Sequence, residues 1–104
     1  MRVTIVVDDD LVLVDGKPAK VDLSHLIADN IHAVQWYGDR GEVEFRSDPM
    51  GDREPNERIK EFVVFQKYVD AWRIQREADE EQERRQLQEA EEMRRKFEEQ
   101  TRQG

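Results

Sequence analysis

The chain has 104 residues, of which 40% are charged and none is cysteine, and its formal net charge is −8. The lack of cysteine excludes disulfides, thiolate catalysis and cysteine-ligated metals. The acidic balance argues against a nucleic-acid partner, because binding to phosphates depends on positive surface. The apolar runs are too short for a membrane span or a signal peptide, so we expect no membrane partner.

The first half of the chain predicts short antiparallel strands joined by polar turns. Gly16 can take the positive φ angle that a tight turn at 15–18 requires. Further along, GDRG at 38–41 separates two runs that read as a hairpin, with one dry and one wet face. The predicted elements, in chain order, are strands at 2–7, 11–14, 19–22, 31–37 and 42–46, with a short helical turn at 22–29 between the third and fourth.

The second half predicts one long helix. A linker at 47–55 contains two prolines and a glycine, and from Glu57 neither residue recurs before Gly104. Asn56 is a suitable N-cap for a helix that starts there. Apolar side chains at three- and four-residue spacing predict that its first part packs on the dry face of the sheet. They are Ile59, Phe62, Phe65 or Gln66, Val69 and Trp72, widened by Val63, Tyr68 and Ile74.

From Gln75 the helix becomes almost wholly polar, and side-chain pairs must support it. Four pairs place a glutamate four residues before a cation, which is the favourable orientation. A narrow apolar stripe then returns, and we expect it to bind a partner. The alternative is a solvated, fraying helix with incidental apolar residues. The pairs are Glu80–Arg84, Glu81–Arg85, Glu91–Arg95 and Glu92–Lys96, and the stripe is Leu87, Ala90, Met93 and Phe97.

These patterns predict an α+β fold. A small antiparallel β-meander and hairpin form a head over 1–74, together with the first half of the C-terminal helix that packs on them. A charged helical arm, a possible coiled coil, projects over 75–104. The predicted core is Val3, Ile5, Trp36, Val43, Phe45, Ile59, Phe62, Phe65, Val69 and Trp72.

No catalytic, cofactor-binding or metal site is predicted. His25 and His32 are the only histidines and lack a third ligand at a recognisable spacing. Residues 8–10 are three aspartates without the alternating ligands of a calcium loop, and we interpret them as a loop that deters edge pairing. An enzyme would need a pocket lined by one of the histidines with buried acids. The sequence instead favours a non-enzymatic interaction protein.

Three stretches, at 14–24, 31–45 and 55–72, resemble a family of small bacteriophage proteins encoded beside tail-fibre genes. The family pattern is a β-meander, an HAVQW-x-G-x-x-GE-x-E hairpin and an N-x-x-I-x-x-F-x-x-F/Y-Q-x-x-V-x-AW helix. The resemblance covers roughly 3–74 and leaves the arm out. The matching residues are His32, Ala33, Val34, Gln35, Trp36, Gly38, Gly41, Glu42, Glu44, Asn56, Ile59, Phe62, Phe65, Gln66, Val69, Ala71 and Trp72.

The resemblance implies a protein that binds the phage tail fibre or another tail protein, as an assembly chaperone or as a structural tail component. It would act in the host cytoplasm during assembly or remain in the virion tail. Because phage fibres are commonly trimeric, a homo-oligomer, above all a trimer, or a hetero-complex is expected. The alternative function is a phage-encoded inhibitor that binds a host defence protein through its acidic surface, including Glu80, Glu81 and Glu83.

Overall fold

Six short strands form one antiparallel sheet, and a long C-terminal helix packs against it, so the fold is α+β. The structure, a computed structural model, describes residues 1–24 and 30–103, with side chains described through Thr101. The strands are β1 (Val3–Val6), β2 (Leu11–Val14), β3 (Lys17–Lys20), β4 (Ile31–Trp36), β5 (Gly41–Phe45) and β6 (Glu57–Ile59). A 3₁₀ turn at Val63–Phe65 leads directly into helix α1 (Gln66–Gln103).

The strand order is β3-β2-β1-β4-β5-β6, so the N-terminal strand lies inside the sheet. Val3 stands opposite Val14 on one side and opposite Trp36 on the other. Because side chains alternate along a strand, these residues share one face with Ile5. That dry face receives the helix and forms the core.

A two-residue turn fixes the register of the β2–β3 hairpin. Asp15 and Gly16 both have positive φ angles, 50° and 81°, which is the type I′ geometry that Asp-Gly favours. The turn was therefore predicted at the correct position, but the predicted range, 15–18, is longer than the observed turn at Asp15 and Gly16. Lys17 and Pro18 already pair with Val14 and Leu13, so the third strand begins two residues earlier than predicted.

The predicted helix start at Glu57 is wrong. Residues Glu57–Ile59 are a strand on the free edge of β5, with Ile59 opposite Gly41. The inward residues of this strand and of the following turn recur every three positions, a spacing that a helix also produces. The β-branched pair Val63–Val64 disfavours an α-helix there, and α1 begins only at Gln66. The chain enters the 3₁₀ turn at Phe62 without a side-chain cap, so Asn56 is not an N-cap.

The segment predicted as a linker, 47–55, is a turn closed by the backbone and side chain of Asp48. A bridge joins Ser47 to Arg53, and Asp48 Oδ1 accepts the N–H groups of Met50 and Asp52 at 2.9 and 2.8 Å. Its proline and glycine content indicated irregular backbone but did not reveal this Asx-type closure.

A row of aromatic rings links the sheet to the helix. Trp36 stacks on Phe62 with ring centroids 5.2 Å apart, Phe62 lies 5.9 Å from Phe65, and Phe65 lies 6.5 Å from Tyr68. Gly41 lies beside the Trp36 ring, and a Cβ atom there would collide with that ring and with the Gln35 carbonyl. A glycine is therefore required under the tryptophan.

Most of the predicted core residues are buried on this face, and three lie at its margin. Phe45, Ile59 and Trp72 are partly buried and pack against the core. Two residues expected to widen the helical stripe, Val63 and Ile74, are instead 79% and 72% exposed. The fully buried members of the predicted set are Val3, Ile5, Trp36, Val43, Phe62, Phe65 and Val69.

The short helical turn predicted at 22–29 lies mainly outside the described residues, as does His25. At its start, Asp22 Oδ1 accepts hydrogen bonds from the N–H and hydroxyl groups of Ser24, at 3.0 and 2.6 Å. The preceding chain is held by Asp10, whose carboxylate accepts the Leu23 N–H.

Candidate docking arm

Two side chains of α1 attach the helix to β3, the edge strand. The Trp72 indole N–H donates to the Lys17 carbonyl at 2.8 Å, and an Arg76 Nη1 group donates to the Pro18 carbonyl at 3.3 Å. The sheet edge thus finds hydrogen-bond partners in the helix, which limits its pairing with another strand. The same bonds fix the direction in which the helix leaves the head.

Beyond this attachment the helix projects away from the sheet. We call residues 75–103 the arm. The molecule measures 69 × 32 × 20 Å, and its Cα radius of gyration is 20.5 Å. A compact chain of this length would have a radius of gyration of about 13 Å. The arm therefore does not fold back over the head.

The apolar stripe predicted to bind a partner lies open to solvent. Leu87, Met93 and Phe97 are 65%, 72% and 71% exposed, and Ala90 is exposed as well. Each of these side chains would gain burial only against something that the head does not supply. The stripe is therefore a candidate docking surface.

The stripe continues the side of the helix that packs on the head. At 100° per residue, the mean direction of Leu87, Ala90, Met93 and Phe97 differs by roughly 20° from that of the head-facing residues. Steps of three and four residues join the two groups along one line. That line runs through Val69, Trp72, Arg76, Asp79, Glu83, Gln86, Ala90, Met93 and Phe97.

Between the two apolar groups, the arm is held by local polar contacts. Glu81 pairs with Arg85 at 2.9 Å, as predicted, but Glu80 pairs with Arg76 at 3.3 Å and not with Arg84. Arg76 is thus shared between the β3 edge and Glu80. The other predicted pairs are not formed in the described part of the chain. Such exposed pairs contribute only about 0.3–0.5 kcal/mol each, so they support a helix without fixing a tertiary contact.

The three aspartates at 8–10 have structural partners. Asp8 contacts Arg46 at 2.6 Å and the His32 ring at 3.2 Å, on the exposed surface. Asp10 accepts the Leu23 N–H, and the Asp9 carbonyl accepts from Lys20 Nζ. These contacts tie the β1–β2 loop to its neighbours, a role that the sequence pattern did not show.

Other parts of the described surface show fewer features of a binding or catalytic site. No charged or polar residue is buried among residues 1–24 and 30–101, and the described residues include no group of three or more candidate metal ligands. One cleft there is lined mainly by charged side chains, among them Arg40, Arg58 and Lys60. Within the described chain, no helix combines the length and apolarity of a bilayer span.

No protein-family model, curated protein or solved structure compared with this chain matches it.

Proposed function

We propose that this protein is a non-catalytic docking protein of a bacteriophage tail, which binds the tail fibre or another tail protein. It acts as an assembly chaperone in the host cytoplasm or as a structural component of the virion tail. The phage assignment comes from the sequence resemblance over 14–24, 31–45 and 55–72. The docking mode comes from one observation: a helix anchored on a small head presents Leu87, Met93 and Phe97 to solvent.

The arm suits an elongated partner that contains helices. An amphipathic helix binds by laying its apolar side chains into a groove or against other helices. Trp72 and Arg76 hold the base of the arm, so the helix leaves the head in a fixed direction. Binding to a partner would bury the stripe and stabilise the helix that carries it.

Binding should be measured with the purified tail-fibre protein of the phage that encodes this chain. We expect Met93→Asp and Phe97→Asp to weaken the complex at least tenfold. Gln88→Asp, on the opposite side of the same helix, is the matched control and should leave affinity within about twofold. Equal effects of the stripe and control variants would overturn the docking mode.

Mass spectrometry of purified virions separates the two roles. A structural component is present at fixed copy number, whereas a chaperone is absent from virions and found with the fibre in infected cells. If the protein binds no tail polypeptide, the tail assignment fails. A complex with a host defence protein that is lost on neutralising Glu80, Glu81 and Glu83 would favour the inhibitor function instead.

A further inference from the structure

We propose that the apolar stripe of the arm pairs with the stripe of a second copy of this chain, with the two helices antiparallel. The inference deepens the proposed function: in the free protein a second copy occupies the docking surface, and the tail protein replaces that copy on binding. It rests on that proposal only in taking the stripe as a binding surface. Three features carry it: the position of the head, the heptad pattern and the order of charges along the arm.

The head decides the orientation of the pair. The sheet occupies the same side of α1 that carries the stripe, up to Arg76. Two packed helices lie about 8–10 Å apart. In a parallel pair, each partner helix would run through the space of the other copy's sheet. The same conflict arises for a parallel trimer that meets along this stripe.

An antiparallel pair avoids this conflict. Ala90 of one copy then packs in a layer with Met93 of the other, and Phe97 packs against the other copy's Gln86. In this register residues 80–103 overlap, a length of about 36 Å. The overlapped segment lies beyond Arg76, so each partner helix clears the sheet. Each copy contributes Met93 and Phe97 to the seam, the contact line between the helices, and Leu87 flanks that line at heptad position e.

The charges beside the seam select this register. With Ala90 and Phe97 at heptad position a, Glu89 and Lys96 both occupy position g. In the antiparallel pair each Glu89 lies beside the Lys96 of the other copy, twice by symmetry. Shifting the register one heptad either way places Glu89 beside Glu89, or Lys96 beside Lys96. Only the central register combines the Ala90–Met93 layers with opposite charges at position g.

The acidic block near the head points the same way. Five carboxylates lie between Glu77 and Glu83, and two of them, Asp79 and Glu83, fall on the seam line. In a parallel pair, Asp79 and Glu83 would each lie beside the same residue of the second copy, and like charges in contact are unfavourable. In the antiparallel pair Glu83 instead faces Gln100, and Asp79 lies outside the overlap.

The charge order also provides the test of pairing. Sedimentation equilibrium should show a concentration-dependent dimer for the unaltered protein. Glu89→Lys and Lys96→Glu should each weaken dimerisation at least tenfold, and the double variant should recover to within about threefold. In a parallel pair the lysine placed at position 89 would face Arg94, so the double variant would not recover. Failure of the double variant to recover overturns the proposal.

Distances between spin labels give an independent readout of orientation. The chain has no cysteine, so Glu92→Cys and Gln82→Cys each create a unique labelling site. In the antiparallel pair the two labels should be about 10–15 Å apart at position 92 and about 30 Å apart at position 82. Similar distances at the two sites would indicate a parallel pair and overturn the proposal.

The substitutions lie in the arm, so unchanged thermal unfolding of the head serves as the folding control. Weak complexes have dissociation constants of about 1 mM. A protein that stays monomeric up to that concentration would overturn self-pairing. If that monomer still binds the fibre protein, the proposed function stands. A protein that dimerises but binds no tail protein leaves self-pairing intact and overturns the tail assignment.

Discussion

Trp72 combines an apolar contact with a specific hydrogen bond. Its ring packs at the margin of the core, and its indole N–H donates to the Lys17 carbonyl at 2.8 Å. The sequence assigned this residue to the core from its spacing alone. It had no means of identifying the acceptor, which lies 55 residues away in the chain.

We expect Trp72→Phe to lower the free energy of unfolding by about 1 kcal/mol, because most of the packing remains and one hydrogen bond is lost. Trp72→Ala should cost about 3 kcal/mol, since the ring is removed as well. Urea unfolding of both variants measures the two contributions. Equal losses for Phe and Ala would show that the ring packing contributes little.

Substitutions at Ile59 and Val63 distinguish the observed strand from the predicted helix. Ile59 packs against the core from β6, whereas Val63 is 79% exposed in the 3₁₀ turn. Ile59→Ala should therefore cost about 1–2 kcal/mol. Val63→Ala should change stability by less than about 0.5 kcal/mol. A larger loss at Val63 than at Ile59 would contradict the structure of this segment.

At the level of elements, strands with β-branched residues and turns were the most predictable parts. The strands at 2–7, 11–14, 31–37 and 42–46 agree with the structure to within one residue at each end. Their alternation, together with Asp15-Gly16, carries the information locally. The order of the strands does not follow from local signals, because β1 pairs with both β2 and β4.

The element that the sequence misplaced is the one stabilised by distant contacts. β6 is three residues long, is mostly charged and pairs only with β5. Its sequence, Glu-Arg-Ile, has no strand preference of its own. Pairing with Gly41–Val43 and the inward position of Ile59 decide its conformation, and both depend on chain that is far away in sequence. The arm stripe was found because helical spacing is local.

The arm and the head should be energetically independent in the monomer. No side chain of the arm beyond Arg76 hydrogen-bonds to the sheet in the described chain. A chain truncated after Glu83 keeps Trp72, Arg76 and the Glu80 pair. We expect its free energy of unfolding to stay within about 0.5 kcal/mol of the full chain, measured by urea at low protein concentration. A loss above about 1 kcal/mol would indicate that the arm packs on the head.

On the scale of the whole molecule, the shape should respond to concentration. A dilute monomer should give a radius of gyration near the 20.5 Å of the Cα trace in small-angle scattering. A polar helix without tertiary contacts frays, and burial of its stripe stabilises it. Helicity measured by circular dichroism should therefore rise with concentration. Constant helicity in a protein that stays monomeric would show that the arm is stable unaided.

The attachment at the sheet edge also has a mechanical consequence. Tension applied along the arm first reaches the head at Trp72 and Arg76, and both bind β3. That strand has a single neighbour, β2. Under load, we expect β3 to be the first strand to separate from the sheet, while β1 stays paired with β2 and β4. The head would then yield stepwise and not all at once when its two ends are pulled apart.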